Sequence, residues 1–112
     1  MKLTSRMEGS EARLMLYHVT MQVNLPPEMP SGAAEKIKAA EKSYAQELQR
    51  QGKWVHLWRV AGRYSNISIF DVSSHNELHA LLCQLPLYPY LDITVTPLAR
   101  HPSAIRRETG ND

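Results

Sequence analysis

From Met15 the chain alternates: Met15, Tyr17, Val19, Met21 and Val23 on one side, Leu16, His18, Thr20 and Gln22 on the other. That two-residue period predicts a half-buried strand over 15–24. The stretch LPPEMPSG follows, and its prolines can continue neither a sheet nor a helix interior, so it is read as a loop. Residues 34–50, AEKIKAAEKSYAQELQR, then carry a helical stripe of Ile37, Glu41, Tyr44 and Leu48, with Ser31 read as its N-cap and Gly52 as its left-handed terminus. KWVHLWRVAG and RYSNISIFDV are dense in β-branched and aromatic residues and predict two strands joined as a hairpin through Gly62 and Arg63. SSHNELHALLCQLP opens on a capping box, Ser74 with Glu77, and continues with a stripe of Leu78, Leu81, Leu82 and Leu85 up to Pro86. YPYLDITVTPL supplies the last strand, and ARHPSAIRRETGND decays into a polar tail.

The order strand, helix, strand, strand, helix, strand is that of an α+β, ferredoxin-like split βαβ arrangement (βαββαβ). It implies an antiparallel four-stranded sheet with two helices on one face. The other face has no cover within the chain. Trp54, Trp58 and Leu16 are expected there, an apolar surface that calls for association with further copies. The boundaries follow: residues 1–14, polar and without period, as an N-terminal extension expected to be disordered, 15–102 as the folded domain, and 103–112 as a polar C-terminal tail.

Composition narrows the function classes. A chain of 112 residues is one domain. A formal charge of +2, with scattered basic residues and no interleaved aromatics, gives nucleic acid no footprint. No apolar run approaches the roughly eighteen residues of a membrane span, and no signal-peptide pattern opens the chain, so a cytoplasmic protein is expected. The single cysteine, Cys83, excludes an internal disulfide and is expected in the core. His75 and His79 stand four apart on the second helix but lack a recognisable set of further ligands, so no metal is expected. Glycine-rich phosphate cradles and nucleophile elbows are absent from the sequence.

Glu41 is the most informative residue, because a carboxylate occupies a stripe position. Exposed glutamates are much commoner than buried ones, and periodicity alone favours a side chain reaching solvent or pairing with Lys38 or Lys42. The other reading is a partly dehydrated carboxyl whose raised pKa suits it to take up and return a proton near neutrality. Arg59 shares parity with Val55, Leu57 and Ala61, which suits the helix-facing side of the sheet. It is either an edge arginine in a surface ion pair or a guanidinium that meets an anion, Glu41 or a substrate carboxylate. His18 and His56 fall on the opposite face, and His101 follows the last strand without a clear role.

Three stretches, MLYHVTMQVNLPPEM, EKSYAQELQRQGKWVHLWRVAGRYSNISIFDV and LHALLCQLPLYPYLDITVTPLARHPSAI, closely resemble the muconolactone delta-isomerase family of bacterial aromatic degradation. The likeness runs from Met15 to about Arg106 and is most specific in HLWRVAG, QLPL followed by PY, and ARHPS. It implies a ferredoxin-like fold and a homodecamer. The implied reaction is a cofactor-free shift of a ring double bond that converts muconolactone to 3-oxoadipate enol-lactone in the β-ketoadipate pathway. The family's acid/base glutamate falls on Glu41. On that chemistry Arg59 is expected to hold the substrate carboxylate, Tyr44 and Trp58 to supply apolar wall, and His56, Tyr64 or Ser68 to donate to the lactone carbonyl oxygen. Two alternatives share the fold: a chloromuconolactone dehalogenase-like enzyme, and a non-catalytic binding module with a solvated Glu41.

Overall fold

In the computed structural model, which describes residues 15–105, β1 (Met15–Val23) has the alternation its sequence calls for, with Tyr17, Val19 and Met21 buried. It is a central strand, antiparallel to β3 (Ser65–Val72) on one side and to β4 (Leu91–Leu98) on the other. β2 (Trp54–Arg59) completes the sheet beyond β3, giving the order β2-β3-β1-β4. This is the expected ferredoxin-like topology. Both helices cover the face that carries Tyr17, Val19, Phe70 and Val72. Ala45 and Leu48 come down from α1 (Ser31–Arg50), and Leu78 and Leu82 from α2 (His75–Cys83), into one apolar cluster. The extension 1–14 and the end of the tail, 106–112, lie outside the described residues.

Local chemistry sets the element ends. Gly52 has φ 78°, and the N–H groups of Gly52 and Lys53 donate to the carbonyls of Gln49 and Leu48, the paired bonds of a Schellman end to α1. At the other end the expectation for Ser31 is corrected. Ser31 is already helical, the cap position is Pro30, and no side chain caps the helix. The Ser74 cap is present, its Oγ accepting from the Glu77 N–H at 3.0 Å. Glu77 does not complete the box on Ser74, however. Its carboxylate accepts from the N–H and hydroxyl of Ser73 and pairs with Lys53 Nζ at 3.0 Å, which ties α2 to the start of β2. The last strand is shorter than its sequence suggests, because Tyr88–Tyr90 forms a 3-10 turn around Pro89. Pro97 is accommodated because β4 is an edge strand.

One irregularity redistributes side chains. Trp54 pairs with Phe70 and His56 with Ile69, so β2 carries one extra residue, a bulge, between them. Trp54 therefore joins Leu57 and Arg59 on the helix side, while His56 and Trp58 point to the open face. Trp54, expected on the open face, is 2 % exposed and stacks on Phe70 with ring centroids 4.7 Å apart. Trp58 and Leu16 do lie on the open face, at 56 % and 43 % exposure, with Leu98 beside Leu16. Cys83 is also corrected. It is exposed, since the buried stripe of α2 is Leu78 and Leu82 and Cys83 lies about 100° further round the helix.

The Ser74 cap gives a direct test of this local account. Ser74→Ala is expected to lower unfolding free energy by about 1 kcal/mol in urea denaturation. A change within a few tenths would mean that the Lys53 and Ser73 contacts of Glu77 hold the helix end alone.

Candidate active site

Glu41 lies on α1 one turn before the buried Ala45, which points it beneath the helix toward the segment that follows α2. There its Oε1 accepts a hydrogen bond from the Leu87 N–H at 3.0 Å. Burial pushes the carboxyl pKa above its ordinary 4.5, and the Leu87 amide, a smaller influence, pulls it back. Of the two readings of this residue, the structure supports the partly dehydrated one. Lys38 pairs with Glu35 instead, and Glu41 has no ion pair among the described residues.

Glu41 faces a cavity of about 480 Å³ between α1 and the β2–β3 hairpin. Its walls are graded in polarity. Trp54, Leu57, Leu87 and Leu91 supply apolar surface, and Arg59, Tyr64, Lys38 and Lys42 supply a cationic side. The hairpin turn arranges the latter: the Arg63 N–H donates to the Val60 carbonyl, and Gly62, φ 80°, takes the left-handed third position. That turn brings Tyr64 back beside Arg59. The Tyr64 ring then lies near both cations, 5.3 Å from the Arg59 guanidinium and 5.6 Å from Lys38 Nζ. Arg59 also donates to the Arg63 carbonyl at 3.4 Å and forms no ion pair with Glu41.

Of the residues singled out from sequence, the cavity brings together Glu41, Arg59 and Tyr64. The others stand elsewhere in this subunit. The Tyr44 hydroxyl donates to the Leu81 carbonyl at 2.7 Å and so ties α1 to α2, although it is near enough for the Glu41 charge, second to burial, to raise its pKa. Ser68 is fully buried and donates to Asn66 Oδ1 at 2.8 Å, and Asn66 does line the cavity. His56 stacks on Trp58 at 4.9 Å on the open face, away from Glu41. His101 is exposed and accepts from the Ser103 N–H. His75 bonds the Tyr17 hydroxyl, and His79 approaches Cys83 Sγ at 3.4 Å. No group of three or more potential ligands among the described residues is placed to hold a metal ion.

Sequence reasoning missed Lys38, Asn66 and Trp54 as cavity residues. Lys38 stands one turn before Glu41 and was legible as a neighbour, though not as part of a cationic wall. Trp54 could be placed only with the bulge known. Its Nε1–H is buried without a hydrogen-bond partner among the described residues, a state that costs about 1–3 kcal/mol when nothing answers it.

The family model for muconolactone delta-isomerase matches residues 15–104. The chain belongs to the muconolactone delta-isomerase family. A muconolactone delta-isomerase of Cupriavidus pinatubonensis is 64 % identical over 92 residues, 82 % of this chain and 100 % of the relative. One from Acinetobacter baylyi is 61 % identical over 82 % of this chain and 96 % of its own. A crystal structure of muconolactone isomerase superposes with a TM-score of 0.80 at 55 % identity, covering 84 % of this chain and 98 % of that one. A feast or famine regulatory protein from M. tuberculosis, 17 % identical with a TM-score of 0.54, shares the fold alone. The isomerase match spans every cavity residue named above. The family implies a small-molecule substrate, in keeping with a cavity of this size, and no helix among the described residues is long and apolar enough to cross a membrane.

The raised pKa of Glu41 has a stability consequence. An acid whose folded pKa lies above its unfolded value favours folding fully at pH below the unfolded pKa, and that advantage is lost as pH rises through the folded pKa. Ionised Glu41 therefore weakens the fold at neutral pH. Glu41→Gln is expected to be at least as stable as the parent at pH 7, with the difference shrinking below about pH 4. Denaturation at both pH values, with carbon NMR titration of the Glu41 carboxyl, checks this. An inflection below 4.5 would contradict the burial argument.

Proposed function

We propose that the chain isomerises muconolactone to 3-oxoadipate enol-lactone, with Glu41 as the single acid/base group. The observation that carries the reading is a partly dehydrated carboxyl facing a cavity with one cationic side, in a chain of this family.

The chemistry asks for little else. Ionised Glu41 removes the proton from the ring carbon that bears the carboxymethyl arm. The electron pair of that C–H bond becomes the new ring double bond, the old double bond moves toward the lactone carbonyl, and charge gathers on the carbonyl oxygen as a dienolate. Glu41, now protonated, returns the proton two carbons away on the same ring face, and the carbonyl re-forms. Atoms and electrons balance between the substrate and one carboxyl, so no redox partner or group carrier enters. Because the Leu87 amide holds Oε1, Oε2 is left to make the short excursion between the two carbons. The raised pKa makes the base stronger than an ordinary carboxylate while keeping its conjugate acid able to give the proton up. Arg59 and Lys38 hold the carboxylate arm, with Tyr64 keeping the two cations in place, and the apolar wall of Leu57, Leu87 and Leu91 keeps water from the intermediate.

Incubation with muconolactone, following the enol-lactone, tests the reading. Glu41→Gln is expected to lower kcat by about 10²-fold or more. Arg59→Ala is expected to act mainly on KM, and kcat/KM should fall on the acid side with a midpoint above that of an ordinary glutamate. Full turnover by Glu41→Gln would refute the mechanism, and chloride release from a chlorinated lactone without isomerisation would replace it by the dehalogenating alternative.

The open face supports a further element of the reading, that copies of this chain cover it with one another. Leu16, Trp58 and Leu98 are exposed there together, and the decamer implied by family likeness would enclose such a surface. Light scattering should give a multiple of 12.8 kDa, near tenfold, and Trp58→Glu should reduce it. A monomer would overturn this.

A further inference from the structure

We propose that the side-chain amide of Asn66 donates the hydrogen bond that stabilises the negative charge on the lactone carbonyl oxygen during the double-bond shift, with buried Ser68 as the positioning residue that aims it. This deepens the isomerase reading and rests on it. A dienolate intermediate needs a donor where charge gathers, and preorganised donors of this kind are commonly the largest single contribution to a rate. The donors expected from sequence are placed or spent otherwise. His56 is on the open face, the Ser68 hydroxyl is committed to Asn66, and Tyr64 stands with Arg59 and Lys38, where the carboxylate arm is held. Among the other polar groups lining the cavity, Gln49 donates to the Ala45 carbonyl, and Lys42 and Gln46 are exposed on α1.

Asn66 differs from these because the fold fixes one end of its amide and leaves the other open. It shares the parity of Ser68 and Phe70 on β3, both buried, so strand alternation turns it to the helix side, where it lines the cavity with Glu41. Ser68 is 0 % exposed, so its hydroxyl proton must find an acceptor within the protein, and that acceptor is Asn66 Oδ1 at 2.8 Å. This bond settles which end of the amide is oxygen and directs Nδ2 away from Ser68. Nδ2 makes no hydrogen bond among the described residues and is not shut away from solvent. Held through its oxygen and unspent at its nitrogen, the amide is preorganised, because no bond within the chain must break before it donates. The placement along the sheet also fits the substrate. Tyr64, whose ring lies 5.3 Å from the Arg59 guanidinium, continues the β3 ladder by accepting from the Val23 N–H. Asn66 is the next residue on the same face, about 7 Å further along the chain. In muconolactone the arm and the lactone carbonyl leave the ring at the two carbons flanking the ring oxygen, so the width of one small ring separates them. With the arm at Arg59, the carbonyl meets Asn66 while Glu41 approaches from α1.

The test uses the full chain with Asn66→Leu, which keeps a similar volume but removes the donor, and with Ser68→Ala, which keeps the donor but frees it to turn. Asn66→Leu should lower kcat by about 10²-fold with KM within about threefold of the parent, at unchanged circular dichroism. Ser68→Ala should lower kcat by about tenfold, and the double variant should be no slower than Asn66→Leu alone, since Ser68 acts only through the amide. Losses that simply multiply would refute the positioning role of Ser68. If Asn66→Leu keeps kcat within about threefold of the parent while Glu41→Gln loses it, the Asn66 assignment is wrong and the isomerase reading stands. A rise in KM at unchanged kcat would place Asn66 at the arm and overturn the assignment equally. If the parent protein fails to turn over muconolactone, the reading falls and the assignment with it. Should Asn66→Leu not fold, Asn66→Ala is held to the same limits. Nitrogen NMR adds a readout independent of rate: on adding 3-hydroxyphenylacetate to the parent, a planar ring whose hydroxyl stands meta to an acetate arm, one Asn66 side-chain amide proton should shift downfield. No shift at saturation would count against the assignment.

Discussion

The hydrogen bond from the Leu87 amide to Glu41 joins the two halves of the structure and defines the site. α1 belongs to the first βαβ half and Leu87 to the connection between α2 and β4 in the second, so this contact closes the layer of helices over the sheet. It also resolves a conflict. Burying a carboxylate without partners would be prohibitive, and pairing it with a buried cation would drive its pKa down and make it a poor base. One neutral backbone donor lies between these extremes, and desolvation remains the stronger influence. Lys38 and Arg59 line the same cavity but meet Glu35, the Tyr64 ring and the Arg63 carbonyl, so neither pairs with Glu41.

The β2 bulge is the second constraint. A strict alternation from Trp54 would have put both tryptophans and His56 on one face. One inserted residue instead sends Trp54 into the core and leaves His56 and Trp58 stacked on the open face. The same step separates a dry aromatic wall from an exposed aromatic surface within a six-residue strand, so β2 serves both the cavity and the surface through which copies would associate.

How much of this was legible follows from what each signal encodes. β1 could be read residue by residue, because a central strand with one buried face has strict period two, and the Schellman end at Gly52 and the Ser74 cap are local backbone chemistry. The fold order followed from those pieces. Glu41 was visible as an anomaly in a stripe, but only the tertiary position of Leu87, 46 residues later, decides between solvated and held. Trp54 and Cys83 were misassigned for related reasons, whereas His56 was read on the open face, where it lies. A bulge carries no mark in composition, and a nine-residue helix with two buried leucines leaves its remaining apolar positions ambiguous by one step of rotation. Ser68 was chosen for a hydroxyl that the fold spends on Asn66, and Tyr44 for apolar wall although its hydroxyl ties it to Leu81, pairings that no spacing rule anticipates.

Family membership and geometry carry different parts of the conclusion. Likeness over residues 15–104 identifies the family but says nothing about why a single carboxyl suffices. The cavity bears on that question, because it sets Glu41 between a cationic side of Arg59 and Lys38 and an apolar wall of Trp54, Leu57, Leu87 and Leu91. On the proposed reading, Glu41 acts on a ring whose carboxylate arm is drawn to the cationic side. On that reading the hairpin orients the substrate through Arg59 and α1 supplies the proton through Glu41, so the spacing between α1 and β2, more than any one side chain, sets the reaction geometry.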